Sequence, residues 1–239
     1  MTGTRRPARG FTLIELAIAL FVIALLLGSL LVPLATQVEQ RQIAETEKSI
    51  EQIKEALVGY AVANGYLPCP DVMSGTGAND GVEDVAANGK CRDSDGNLPW
   101  VTLGIGATDV WNNRFRYHPD SSFAQRAPSA LFGLTTHADV RVWASAAHAT
   151  PLTSGGGNSA AAVILSHGKN GRSAMSAATN ILNPAPLGPD ELQNADGTLD
   201  FVSRPPSPEG SAAGEFDDIV SWLPKYVLYN RMVGAGRLP

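Results

Sequence analysis

Charge is almost missing from one stretch of this chain: between residues 11 and 35 the only ionisable side chain is Glu15. Cysteine is scarce too, with two in 239 residues, Cys69 and Cys91, and there are only four histidines. The histidines, His118, His137, His148 and His167, are scattered without metal-ligand spacing, and no H-E-x-x-H occurs, so neither a zinc site nor a metalloprotease centre is expected. Gly157 to Ala161 (G-N-S-A-A) lacks the second glycine of a nucleophile elbow, and Ser166 and His167 are mere sequence neighbours. No hydrolase is therefore expected. A net charge of -5 argues against a nucleic-acid surface, whose affinity rests on neutralising phosphates with Lys and Arg.

What is present begins with hydrocarbon. A helix over residues 11–35 would reach about 37 Å at 1.5 Å per residue, enough to cross a bilayer with some tilt. Arg5, Arg6 and Arg9 precede it and few cations follow, which places the N-terminus in the cytoplasm and everything after residue 36 outside. After the apolar run, Pro33-Leu34-Ala35 is a poor signal-peptidase site and no lipoprotein cysteine is present, so the segment is expected to stay with the mature chain. On the exported side disulfides persist, and Cys69 and Cys91 are expected to form one, the alternative being a pair of free thiols.

A second feature is the setting of Glu15. The stretch "RGFTLIEL" (Arg9 to Leu16) resembles the prepilin cleavage and methylation signal of type IV pilins and type II secretion pseudopilins. The resemblance implies that a prepilin peptidase cuts between Gly10 and Phe11 and that Phe11 is N-methylated. It further implies that Glu15, the fifth residue after the cut, meets the Phe11 amine of a neighbouring subunit and sets axial register. A buried charge in a membrane helix is costly, so Glu15 needs a partner; an ammonium at about 4 Å and an effective dielectric near 20 attracts it by roughly 4 kcal/mol. The alternative is that Glu15 snorkels to the interface of a plain signal anchor.

The helix is expected to continue to about residue 63, kinked around Gly28 and Pro33 and stopped at Asn64-Gly65. Ile43, Ile50, Ile53, Leu57 and Tyr60 recur on one face, with Glu and Lys between them. The domain plan is a leader at 1–10, a transmembrane and fibre-core helix at 11–35, its amphipathic continuation at 36–63, and a periplasmic globular head at 64–239.

Strands are expected at Trp100–Ile105, Arg114–His118, Val140–Ala144, Ala161–Ser166 and Leu199–Ser203, forming an antiparallel sheet. Residues 150–159 and the remainder of 183–215 read as loop, and "LPKYVLYNRMVGAG" as a terminal helix starting near Pro224 and ending before Gly234. Asp93 to Asn97 (DSDGN) is a turn, not an EF-hand, since its glycine is displaced and Gly104 stands where the closing Glu belongs. The tryptophans Trp100, Trp111, Trp143 and Trp222 read as packing residues. "VILSHGKNG" and "FDDIVSW" resemble pseudopilin head segments between which major pseudopilins hold calcium. The resemblance implies that Asp217 and Asp218 could serve a calcium ion here, although Asn170 stands where an aspartate is usual; otherwise Asp218 caps or borders a strand.

The fold class expected is α+β and pilin-like: a long N-terminal helix packed on an antiparallel head with a disulfide-pinned loop. The function implied by the resemblance is a minor pilin or pseudopilin, a non-enzymatic assembly subunit needing no cofactor. Its expected partners are prepilin peptidase, other pilin or pseudopilin subunits, an inner-membrane assembly platform and lipid. It would reside in the bacterial inner membrane as a single pass, then in a type IV pilus or type II secretion pseudopilus. The alternative is a membrane-anchored periplasmic binding domain that joins no fibre.

Overall fold

The computed structural model describes Gly10, residues 12–153 and residues 159–238, with the backbone alone for residues 27–34. Two compact units are distinguished, Met1–Gln42 and Ile43–Pro239. Helix α1 (Leu13–Asn64) contributes to both and runs as helix through Gly28 and Pro33.

In the first unit the described apolar side chains are exposed, among them Leu13, Ile14, Ile18, Phe21 and Leu25. Among the described residues no helix is long and apolar enough to cross a membrane. Phe11 and the side chains of residues 27–34 lie outside the described residues, so the single pass expected over 11–35 falls partly outside them; beyond Ala35 the helix carries Glu39, Arg41, Glu45, Glu47 and Lys48.

In the second unit the rest of α1 forms one wall of the core. Ile50, Ile53 and Leu57 are buried at the predicted helical spacing, with Tyr60 half-buried. The helix stops where expected: Gly65 adopts φ 89° and its N–H donates to the Ala61 carbonyl at 2.7 Å, a left-handed closure for which glycine pays no Cβ penalty.

Beyond α1 the elements are β1 (Gly96–Asn97), α2 (Trp100–Leu103), β2 (Arg116–Pro119), β3 (Arg141–Trp143), β4 (Ala160–Ser166), α3 (Pro189–Gln193), β5 (Asp200–Val202), β6 (Ile219–Pro224) and α4 (Lys225–Gly234). Strands β1-β2-β4-β6 form an antiparallel sheet in that order. All seven residues of β4 are buried because both faces of this central strand are covered. Ala162 and Ile164 join the core that includes Ile53, Leu57, Tyr117 and Leu223. Val163 and Leu165, one step out of phase, join Val140, Val142 and Phe201 on the opposite face. Helix α4 packs its Leu228 and Met232 into the first core, and Arg231 pairs with Glu55 of α1 at 3.0 Å.

Three expectations are corrected. Trp100–Ile105 is not a strand: Pro99 precedes a single helical turn, α2, which Gly104 closes at φ 66°. The sheet system is not wholly antiparallel, since β3 and β5 pair in parallel, Val142 opposite Phe201. Residues 183–215 hold helix α3 as well as β5. Pro189 at its first turn, with Asp190 and Glu191 beside it, is a helix-start pattern that suits both proline's fixed φ and the positive helix end.

Candidate functional site

At the N-terminus, Gly10 is exposed and Phe11, the residue expected to follow the cut, lies outside the described residues. Glu15 is exposed, and its described partner is local. The Thr12 N–H and the Thr12 hydroxyl both donate to Glu15 Oε2, at 2.9 and 2.8 Å. The Glu15 N–H in turn donates to Thr12 Oγ1 at 3.3 Å. This is a capping box, in which the first helical residues satisfy one another's orphan donors. The Leu16 N–H to the Thr12 carbonyl at 3.1 Å confirms Thr12 as the residue from which α1 starts. The spacing Thr-x-x-Glu over Thr12 to Glu15 is the local sequence signal for it.

The second expected feature is the loop between the cysteines. Cys69 and Cys91 are disulfide-bonded, with their Cα atoms 5.1 Å apart. Glu83 ties this loop to its surroundings: one oxygen accepts from the Tyr60 hydroxyl and from Arg126 Nη1, each at 2.9 Å, and the other accepts the Cys69 N–H at 3.2 Å. Asp71 is fully buried and accepts the Gly81 N–H at 3.1 Å. Burial pushes its carboxyl up to about 6, helped by the nearby Asp80 and Asp84 charges and opposed by backbone N–H donors. Asp95, within the DSDGN turn, is engaged by the Arg116 guanidinium rather than left for a cation. Trp100 lies under the Arg114 guanidinium at 4.0 Å, and Trp143 donates to Asp200 at 2.8 Å, so both are packing residues.

A third cluster is only half anticipated. Glu191, Asp217 and Asp218 bring carboxylate oxygens within 4.8 Å of one another. The turn before β6 supplies the two aspartates, and α3 supplies Glu191, from a stretch read as loop. Glu191 accepts the Asp217 N–H at 2.9 Å and the Asn170 side-chain amide at 3.2 Å. Asp217 accepts the Asn170 N–H at 2.7 Å, while Asn194 donates to Asp218 at 2.8 Å. Burial pushes Asp217 up to about 7, with the Glu191, Asp218 and Glu215 charges adding to it. Glu191 is raised as well, by burial first and by Asp218 next. Asp217 Oδ1 is buried and accepts no hydrogen bond. Three converging hard oxygen donors fit a divalent cation of the calcium type, with Glu191, Asp217 and Asp218 as the residues that would hold it and neutralise one another's repulsion through it. The buried His167 places Nδ1 3.4 Å from Asp218, while Ser166 donates to Asp109 at 2.6 Å, so Ser166 and His167 form no dyad.

Comparison with known proteins bears on the first of these features. No curated protein and no solved structure matches the chain. Residues 5–31 match the family model described as the prokaryotic N-terminal methylation motif. Gly10, Phe11, Glu15 and the exposed apolar side chains from Leu13 to Leu26 all lie inside that match, so the N-terminal segment is similar to that of precursors of the type IV pilin and pseudopilin kind.

Proposed function

We propose that this chain is a minor pilin or pseudopilin, whose work is assembly rather than catalysis. Prepilin peptidase removes residues 1–10 by cutting between Gly10 and Phe11, and Phe11 is N-methylated. Residues 11–35 hold the subunit in the inner membrane and then form the fibre core, residues 36–63 carry the helix onto the head, and residues 64–239 lie in the periplasm. The assembly platform moves the subunit from lipid into a type IV pilus or a type II secretion pseudopilus.

The observation that carries this reading is the methylation motif over residues 5–31, in register with Glu15 and with exposed apolar side chains from Leu13 onward. Exposed hydrocarbon of that extent must be covered, by lipid or by copies of itself, because leaving it in water costs about 25 cal/mol per Å². Glu15, which hydrocarbon alone would penalise, is stabilised once a neighbour's Phe11 ammonium pairs with it.

The test is the intact mass and N-terminal sequence of the protein from cells with and without prepilin peptidase. A peptidase-dependent start at N-methyl-Phe11 is expected, and Glu15→Ala should be cleaved yet poorly incorporated into fibres. A start that stays at Met1, or a cut beyond Ala35, overturns the proposal and leaves a tethered or secreted domain. Whether the fibre is a pilus or a pseudopilus follows from which one co-purifies with the processed chain.

A further inference from the structure

The chain between Asp71 and Asp84 forms an Ω-loop whose ends are tied together and whose interior holds one carboxylate. At its base the Asp84 N–H donates to the Pro70 carbonyl at 3.2 Å and the Val72 N–H donates to Asp84 Oδ2 at 3.0 Å. Inside, Asp71 is fully buried: Oδ2 accepts the Gly81 N–H at 3.1 Å, and Oδ1 has no hydrogen-bond partner among the described residues. We propose that this loop is a proton-operated latch, closed over Trp100 while Asp71 is neutral and released when Asp71 ionises.

Three observations carry it. First, the site does not suit a negative charge. An unpartnered buried hydroxyl is costly, but an unpartnered buried anion costs far more. The charged groups that act on Asp71 are Asp80 and Asp84 from its own loop, both acids, and Arg114 from the segment leading into β2. Arg114 is engaged elsewhere: its guanidinium lies 4.0 Å from the centre of the Trp100 ring, and Nη2 donates to Asn180 at 2.8 Å. Second, Asp71 grips the part of the loop that touches its neighbours. Gly81 lies so close to Trp100 that a Cβ there would be 2.3 Å from Cε2 of the indole. The Gly81 carbonyl also accepts the Val101 and Thr102 N–H groups, at 2.9 and 3.2 Å. Releasing Gly81 therefore lifts the loop from α2 and uncovers the indole. Third, the flanks are held independently of the latch. The Cys69–Cys91 disulfide encloses the loop, and Asp71 and Asn97 exchange two backbone hydrogen bonds, at 3.0 and 2.9 Å. Ser74, Gly75, Thr76 and Gly77 at the tip are exposed, so opening is a local event that leaves the core in place.

Hydrogen exchange of the intact, disulfide-bonded chain in detergent tests the latch. Peptides covering residues 72–84 are followed by mass spectrometry from pH 4.5 to pH 7.5 in the parent, Asp71→Asn and Asp80→Asn, with each rate corrected for intrinsic exchange at that pH. A carboxyl at about 6 in the closed loop and at its ordinary value in the open one makes opening about tenfold more favourable at pH 7.5 than at pH 5. That tenfold rise is expected in the parent. Asp71→Asn should show none, because its amide still accepts the Gly81 N–H and carries no charge at either pH. Asp80→Asn should shift the rise to lower pH, since it removes a neighbouring negative charge that a purely structural role for Asp71 would not sense. Peptides from β4 should stay protected throughout. A parent loop that opens equally at both pH values overturns the inference, and so does a rise that persists in Asp71→Asn. Equal loss of protection in β4 also overturns it, by marking global unfolding in place of a latch. Should Asp71→Asn fail to fold, Asp80→Asn decides: an unmoved midpoint refutes the role of Asp71.

Discussion

Glu191 accepts the backbone N–H of Asp217 at 2.9 Å across a separation of 26 residues, joining helix α3 to the turn that leads into β6. The same contact brings two acids together with Asp218. Carboxylates this close repel one another even at an effective dielectric near 20. Glu191→Gln keeps an oxygen for the Asp217 N–H and removes one charge. In the presence of a chelator the variant should be more stable than the parent by roughly 1 kcal/mol, and so unfold at a higher temperature. Millimolar calcium should raise the melting temperature of the parent and leave that of the variant nearly unchanged, which calorimetry of the two proteins would read directly.

Asp71 contributes a pH dependence of known sign. Its carboxyl is raised to about 6 in the folded protein, above the ordinary aspartate value of 3.8, chiefly by burial. Between those values the folded state binds the proton more tightly than the unfolded chain does. Stability from this group is therefore fully present below about pH 4 and is lost as the pH rises to about 6. Asp71→Asn should remove roughly 2 kcal/mol of that fall. Urea unfolding of parent and variant at pH 4 and pH 7 measures it; parallel changes in the two proteins would refute the assignment.

The disulfide holds together the loop that carries Asp71 and Glu83. Closing a loop of about 23 residues restricts the unfolded chain by about 3 kcal/mol on the entropic account. Replacing Cys69 and Cys91 by serine should lower stability by about that amount, and reductant should lower the parent's melting temperature while leaving the double variant's unchanged.

Gly168 stands where no side chain fits. Its φ is +60°, and a Cβ there would lie 2.2 Å from the Asp217 carbonyl oxygen. Gly168→Ala must displace the turn after β4 from the turn before β6, and should cost about 2–3 kcal/mol in chemical denaturation. In the same variant the calcium response described above should weaken, because Asp217 moves with its backbone.

Local patterns carried much of this architecture. The 3.6-residue recurrence of Ile50, Ile53 and Leu57 announced a buried helix face, and Asn64-Gly65 its end, because both depend on residues within one or two turns. The apolar run of β4 was recognisable as a buried strand for the same reason. Local patterns misled at Trp100–Ile105, where β-branched and aromatic residues suggested a strand and the flanking Pro99 and Gly104 imposed a helical turn. The start of α3 was legible in Pro189, Asp190 and Glu191, yet a short helix among Gly and Pro makes a weak signal beside the loop around it.

By itself, then, the sequence determined the N-terminal segment: the Arg-Gly-Phe-Thr-Leu-Ile-Glu-Leu motif, the apolar helix that follows it and the side of the helix that enters the core. Each of these is written in neighbouring residues, whose spacing sets periodicity and chemistry without help from the rest of the chain. Tertiary structure alone decided the parallel pairing of β3 with β5, the burial that raises Asp71, and the arrival of Glu191 beside Asp217 and Asp218. Those depend on which distant segments share a sheet or a turn, and long-range proximity with its desolvation has no local spacing by which to be read.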